Sequence, residues 1–251
     1  MPVLEALLDP RAVVRRVVIA RRAQGDAVTR IIEAAAAREV RVEWADAARV
    51  TRLSRNGRHD QGVVAEVTSP GIVGLDEWLG GRDGTVSLLL LDGLTNPSNV
   101  GMLIRTATAA GLDGVVLPRA GSPDIGPLVV KASAGVALSA TVLHAADAAT
   151  AARVLGSADV ALVGLAAGAG RPIWEVPVPE RVALVLGNET SGVSPAVAPR
   201  VTEWCTIPLA AGVESLNVAA AGAIAAFELA RRRFAGGGAG ARPRRGRPLT
   251  P

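Results

Sequence analysis

"VSLLLLDGLTNPSNVGMLIRTA", residues 86–107, decides how this chain is built. Its first part, VSLLLLDGL, is a continuous apolar run, the pattern of a strand covered on both faces within a parallel sheet. Strands of that kind deliver function at their carboxyl ends. Asn96 is a good helix cap and Pro97 suits the first helical position, so a helix begins here with free backbone donors at its mouth. At about 100° per residue, Ser98, Gly101 and Arg105 fall near one line of that helix, and Asn99 sits at its mouth. Capping accounts for Asn96 and Pro97. It leaves Asn99, Gly101 and Arg105 in need of a partner, and the expectation is that Gly101 admits something to the backbone which Arg105 then meets.

Outward from this stretch the rhythm repeats. After VSLLLLDGL come GVVLP, ATVLHA, VALVGLAA, RVALVLGN and EWCTIPLA, separated by helical or turn-rich segments. The pattern predicts a parallel sheet with helices on both faces. A last helix, SLNVAAAGAIAAFELARRRF, is small or apolar until its basic end, suited to the core or to a second subunit. Upstream, residues 13–67 alternate VVRRVVIA, a helix over AVTRIIEAAAAR, VRVEWA, a helix through DAARVTRLSR, and GVVAEV, which makes a small α/β unit. TSPGIVGLDEWLGGRDG, rich in glycine and broken by a proline, reads as the linker between them. The expected organisation is a small α/β unit and linker over residues 1–80, a larger sheet domain over 81–234, and a disordered tail over 235–251.

Composition narrows the function. With 251 residues and 49% hydrophobic content the chain can bury a sizeable core. A single cysteine, Cys205, excludes a disulfide framework and a thiolate zinc site, and agrees with a cytoplasmic protein. Neither a signal peptide nor a membrane helix is expected. The net charge of +4 is unevenly spread: residues 81–228 carry 8 basic and 12 acidic groups, residues 229–251 carry 7 basic and none acidic. The tail therefore reads as an arm that seeks a polyanion. Arg49, Arg52, Arg55 and Arg58, with Arg15, Arg16, Arg21 and Arg22, could form a phosphate-binding surface or a merely solvated one. Only six aromatic residues occur, so any grip on RNA is expected to run through arginine rather than base stacking.

Two further strand ends resemble the first. LGNETSGVS sets Gly187, Asn188, Glu189 and Gly192 after an apolar strand; IPLAAGVESLNVAAA sets Pro208, Gly212, Ser215, Leu216 and Asn217 before the last helix. Singly, each reads as a turn or a cap. In order and spacing, however, NVGMLIR, LGNETSGVS and IPLAAGVESLNVAAA resemble the three motifs of the SpoU family of RNA ribose methyltransferases, also called the TrmH family. The likeness spans roughly residues 85–230. The amino-terminal unit resembles the ribosomal-protein-like substrate domain of that family's large-subunit rRNA guanosine branch, HDQGVVAEV being similar to its HQGVVAEV segment, with Asp60 as a departure.

The resemblance implies a fold and an activity: a carboxyl-terminal chain threaded into a deep trefoil knot, and S-adenosylmethionine bound among the knotted loops. Gly187, Ile207 and Leu216 fall on the family's cofactor-contact positions, and Gly164-Leu165 is a further candidate. A glycine lets backbone approach a ligand, while Ile207 and Leu216 can cover an adenine face. The implied reaction moves a sulfonium methyl group to a ribose 2′-hydroxyl in RNA, which asks for alignment and partial activation of a weak acid. Arg105 is then either the base or a cation that binds the neighbouring phosphate and stabilises the ionising hydroxyl. Asn99 positions Arg105 or the ribose, Glu189 holds backbone donors or Asn99, and Ser215 and Asn217 orient the substrate. A homodimer with its cleft near the interface follows from the same likeness. His144 reads as a packed core histidine and His59 as a surface turn residue.

Competing readings are a transfer RNA or drug-resistance ribosomal RNA methyltransferase, a non-catalytic RNA-binding protein, and a nucleotide-binding oxidoreductase. Against the last, LDGLTNPSNVG is not G-x-G-x-x-G, and no acidic residue is placed to hold a ribose.

Overall fold

The computed structural model describes residues 2–10, 12–54, 61–69, 71–168, 170–210 and 212–236. Arg55, Arg58, His59 and the tail from residue 237 onward lie outside the described residues.

The amino-terminal elements are Pro2–Leu8 (α1), Val13–Ala20 (β1), Asp26–Ala37 (α2), Arg41–Ala45 (β2), Ala47–Ser54 (α3) and Val63–Thr68 (β3). β1 is central in a three-stranded sheet, paired in parallel with β2 and antiparallel with β3. Alternation in β1 sends Val17 and Ile19 to one side, where they pack with Val28, Ile31 and Ala35 of α2. Val18 and Ala20 go to the other, against Ala45 and Val50. Arg38 ties α1 down, its guanidinium donating to the carbonyls of Ala6, Leu7, Asp9 and Ala12.

The larger part runs Ile72–Gly74 (β4), Leu75–Leu79 (α4), Val86–Leu91 (β5), Pro97–Ala109 (α5), Gly114–Val116 (β6), Pro127–Ala132 (α6), Val142–His144 (β7), Ala148–Ser157 (α7), Ala161–Leu165 (β8), Arg171–Pro172 (β9), Arg181–Leu186 (β10), Glu203–Thr206 (β11) and Val218–Gly236 (α8). Its eight strands lie in the order β4-β7-β6-β5-β10-β8-β11-β9, with every pair parallel. β5 is buried at all six positions because both faces are covered. Leu89 and Leu91 face a core shared with Leu103, Ile104 and Leu229 of α5 and α8. Leu88 and Leu90 face a second core with Leu75 and Leu155 of α4 and α7. Each such leucine contributes roughly 1.5–3 kcal/mol relative to exposure. None of the helices among the described residues is long and apolar enough to cross a membrane.

Three expectations change here. The stretch read as linker contains β4 and α4, and β4 pairs with β7 at the edge of the large sheet; three residues are too few to show a period. His144 ends β7 half-buried rather than in the core, its Nδ1 lying 2.7 Å from the Leu117 carbonyl. The basic end of the last helix, expected to open an arm that seeks a polyanion, is instead bonded within the protein. Arg232 donates to the carbonyls of Val176 and Ile173. Arg233 reaches Ser87 Oγ at 2.6 Å and the Val86 carbonyl at 3.0 Å, so α8 is stapled across the start of β5.

Candidate active site

β5, β10 and β11 end on the same side of the sheet, and the loops that follow them meet there. After β5 the chain turns through Asp92 and Gly93 into α5, where the Asn96 side chain accepts from the Ser98 N–H at 2.9 Å, the cap its sequence announces. Asn99, on the first turn, is only 4% exposed. Its two side-chain ends are both used. Nδ2 donates to Glu189 Oε1 from the loop after β10, and Oδ1 accepts from Asn217 Nδ2 at 3.3 Å. Asn217 in turn caps α8, its Oδ1 accepting from the Ala219 N–H at 2.9 Å. One residue from each of the three motifs thus forms a chain of hydrogen bonds, Asn217 to Asn99 to Glu189.

Beside this chain lies a cleft of about 530 Å³. Gly187, Glu189, Ile207, Ser215 and Leu216 all line it, as do Leu165, Thr206 and Leu209. Its wall after β10 is a tight pin: the backbones of Asn188 and Gly192 exchange two hydrogen bonds of 2.9 Å, with Gly192 at φ +69°, a conformation open to glycine. The mixture of aliphatic side chains and exposed loop backbone suits a ligand with one flat apolar part and several polar groups. Cys205, at the floor of β11, is fully buried, and burial pushes its thiol up to about 11, so it is a packing residue.

Gly101 and Gly164 play parts other than those expected, and Gly187, which does line the cleft, has a packing reason as well. A Cβ at Gly101 would stand 2.5 Å from the Val129 carbonyl oxygen and 2.7 Å from Ala132 Cβ. What approaches the α5 backbone there is α6, and no room remains for RNA. At Gly187 a Cβ would run into the backbone of Gly192 and Val193, so the loop's own return demands the glycine. Gly164 lies under the Trp204 ring, 2.7 Å from where its Cβ would be, and takes no part in the cleft; its neighbour Leu165 does.

Arg105 stands apart. Gly101 is buried, whereas Ser98, Met102 and Arg105 share the exposed face of α5. Arg105 does not line the cleft, and no ion pair holds it among the described residues. In the amino-terminal part, Arg16 is paired to Glu66 at 2.9 Å and Arg49 to Glu43 at 3.4 Å, while Arg15, Arg21, Arg22 and Arg52 are exposed. Two residues that shape the site were not singled out in the sequence: Asp92, buried at the end of β5, and Ser194, which it holds. A lone carboxylate closing an apolar strand was the available signal.

A family model described as the SpoU rRNA methylase family matches residues 87–227, and one described as RNA 2′-O ribose methyltransferase substrate binding matches residues 1–72. The chain is 36% identical over 201 residues to the 23S rRNA (guanosine-2′-O-)-methyltransferase RlmB of Burkholderia sp, spanning 80% of this chain and 81% of that one. RlmB of Neisseria meningitidis serogroup B is 30% identical over 227 residues, 90% of each chain. Among solved structures, the SpoU methyltransferase AviRb of Streptomyces viridochromogenes, in complex with AdoMet, matches with a TM-score of 0.71 at 22% identity, covering 93% of this chain and 88% of that one. At that identity the likeness is one of fold.

Proposed function

Because the chain belongs to the SpoU rRNA methylase family, we propose that it transfers a methyl group from S-adenosylmethionine to a ribose 2′-hydroxyl of ribosomal RNA, the target being a guanosine of the 23S molecule. The observation that carries this reading is the meeting of three sequence-distant loops at one cleft, joined by the Asn217–Asn99–Glu189 hydrogen bonds. The RlmB relatives, which cover both parts of the chain, support the large-subunit target.

The residues present fit the donor. Leu165, Ile207 and Leu216 offer apolar cover for an adenine, and the pin at 187–193 offers backbone groups to its polar parts. When bound, S-adenosylmethionine supplies an electrophilic methyl on a sulfonium. The protein's own work is alignment: Glu189 fixes Asn99, Asn99 presents the mouth of α5, and Ser215 and Asn217 shape the mouth of α8. Arg105 is assigned to the RNA. The planar fork of donors on its guanidinium suits it to bind the phosphate beside the reacting ribose and stabilise the hydroxyl as it ionises.

The part up to β3 is assigned to RNA binding, through Arg15, Arg21, Arg22 and Arg52, the part from β4 onward to methyl transfer, and the basic tail to a further RNA contact. A trefoil knot in the second part is supported by the return of the chain from β11, beyond β8, to α8 against α5 and β10. A homodimer is supported by exposed apolar side chains on two neighbouring helices, Met102 on α5 and Ile224 and Phe227 on α8, the last 52% exposed. The cytoplasm is the assigned location, where ribosomal RNA is found.

Titration calorimetry with S-adenosylmethionine tests the donor, and ribose-methylation mapping of ribosomal and transfer RNA from a deletion strain, with purified protein added back, tests the target. Binding of the donor and one restored guanosine in 23S rRNA are expected. Restoration in transfer RNA alone would overturn the target assignment, and no donor binding would overturn the reaction.

A further inference from the structure

We propose that Asp92 is a positioning residue of the methyl-donor cleft, holding the 188–194 loop in its binding shape before the donor arrives. Asp92 is one of four polar or charged side chains buried among the described residues, at 4% exposure. A carboxylate is taken out of water at a cost unless hydrogen bonds replace the lost solvent. Here Oδ2 accepts from the Ser194 N–H at 2.6 Å, and the Asp92 N–H donates to the Leu186 carbonyl at 2.8 Å. The next residue completes the hold: the Gly93 carbonyl accepts from Asn188 Nδ2 at 2.9 Å.

Two consecutive residues after β5 therefore grip both ends of one loop, Gly93 at Asn188 and Asp92 at Ser194. Everything between, residues 189–193, lines the cleft, and Glu189 at its start is the partner of Asn99. The loop's internal bonds, Asn188 to Gly192 and Asn188 Oδ1 to the Thr190 and Ser191 N–H groups, shape the pin without attaching it to anything. Attachment comes from Asp92 and Gly93 at its two ends and from the Asn99–Glu189 bond between them. An ionised acceptor makes a hydrogen bond roughly twice as strong as a neutral one, which suits a carboxylate to this task. A loop held in place in advance spares the donor the entropy of ordering it.

This inference rests on the reading of the cleft as the S-adenosylmethionine site, and the test separates the two. Wild type, Asp92→Ala and Asp92→Asn are compared as full chains, by titration calorimetry with S-adenosylmethionine and by amide hydrogen exchange at Ser194 without it. Asp92→Ala should bind the donor on the order of tenfold more weakly, a factor worth about 1.4 kcal/mol, and should lose protection at Ser194. Asp92→Asn keeps a neutral oxygen for the Ser194 N–H, so donor affinity should return to within about threefold of wild type, since a neutral acceptor keeps part of the bond. Equal donor affinity in wild type and Asp92→Ala, or a wild-type Ser194 amide that exchanges freely, would overturn the proposal. A wild type that fails to bind the donor overturns the reading of the cleft, while Ser194 exchange still decides whether Asp92 holds the loop. Should Asp92→Ala not fold, an unprotected Ser194 in Asp92→Asn with unchanged donor affinity would overturn it.

Discussion

Asn99 and Glu189 stand 90 positions apart in the chain and share a hydrogen bond of 2.5 Å, Asn99 Nδ2 donating to Glu189 Oε1. The pair joins the mouth of α5 to the pin after β10, so the two side chains are expected to act as a unit. Asn99→Ala and Glu189→Ala are each expected to lower kcat/KM, and the double variant to cost little more than the worse single one. Their coupling should lie at about 1.5–3 kcal/mol, the range for a hydrogen bond to a charged group between side chains in contact. A double-mutant cycle on methyl transfer checks it, and additive losses would separate the two roles.

Arg105 makes a different prediction because it is exposed and outside the cleft. Arg105→Ala should lower methyl transfer by roughly two orders of magnitude or more, as loss of a charge-stabilising donor does. Donor affinity should stay as it is, and stability should move by no more than about 0.5 kcal/mol, the usual range for a surface substitution. Calorimetry, denaturant unfolding and turnover separate the three, and full activity would remove Arg105 from the reaction.

Gly101 predicts the reverse pattern. A methyl group there would press on the Val129 carbonyl and on Ala132 of α6. Gly101→Ala should cost about 1–3 kcal/mol, as overpacking does, measured as a lower urea midpoint with unchanged slope. RNA affinity of the folded fraction should not change. Weaker RNA binding at full stability would restore the idea that RNA approaches this glycine.

Acid should loosen the end of α8. Arg231 above all, with Arg232, hydrogen-bonds the Glu228 carboxylate and holds it down at about 2, against the opposing effect of its burial. A depressed carboxylate stabilises the fold above its unfolded value, ordinarily about 4.3, and that contribution fades as pH falls through the folded value. Stability should therefore drop between about pH 5 and pH 2. Glu228→Gln should flatten this limb, read by thermal unfolding across the pH series; an unchanged limb would mean that the Arg231 and Arg232 contacts carry no stability.

Much of the framework was legible in the residues. The apolar runs ending at Leu91, Leu165, Leu186 and Thr206 are strands in the structure, and the Asn96-Pro97 cap opens α5 as read. Both readings rest on short-range physics, burial on two faces and a side chain bonding a backbone two residues on. The three motif loops were also recognisable as belonging together. The linker hid β4, and the basic end of α8 hid two anchors, because a three-residue strand has no period and an arginine's partner is not written beside it.

The strand and helix rhythm and the caps are written in the residues because they depend on neighbours within a few positions, while the three loops could be grouped only through a likeness that spans most of the chain. What each glycine and each charge meets came with the fold alone: α6 at Gly101, the returning loop at Gly187, Ser194 at Asp92, Ser87 at Arg233. Those partners lie from 28 to 146 positions away except the loop over Gly187, which closes through its own Asn188–Gly192 bonds. Contacts of that separation follow from how the sheet orders its strands, and a linear pattern of residue types holds no record of that order.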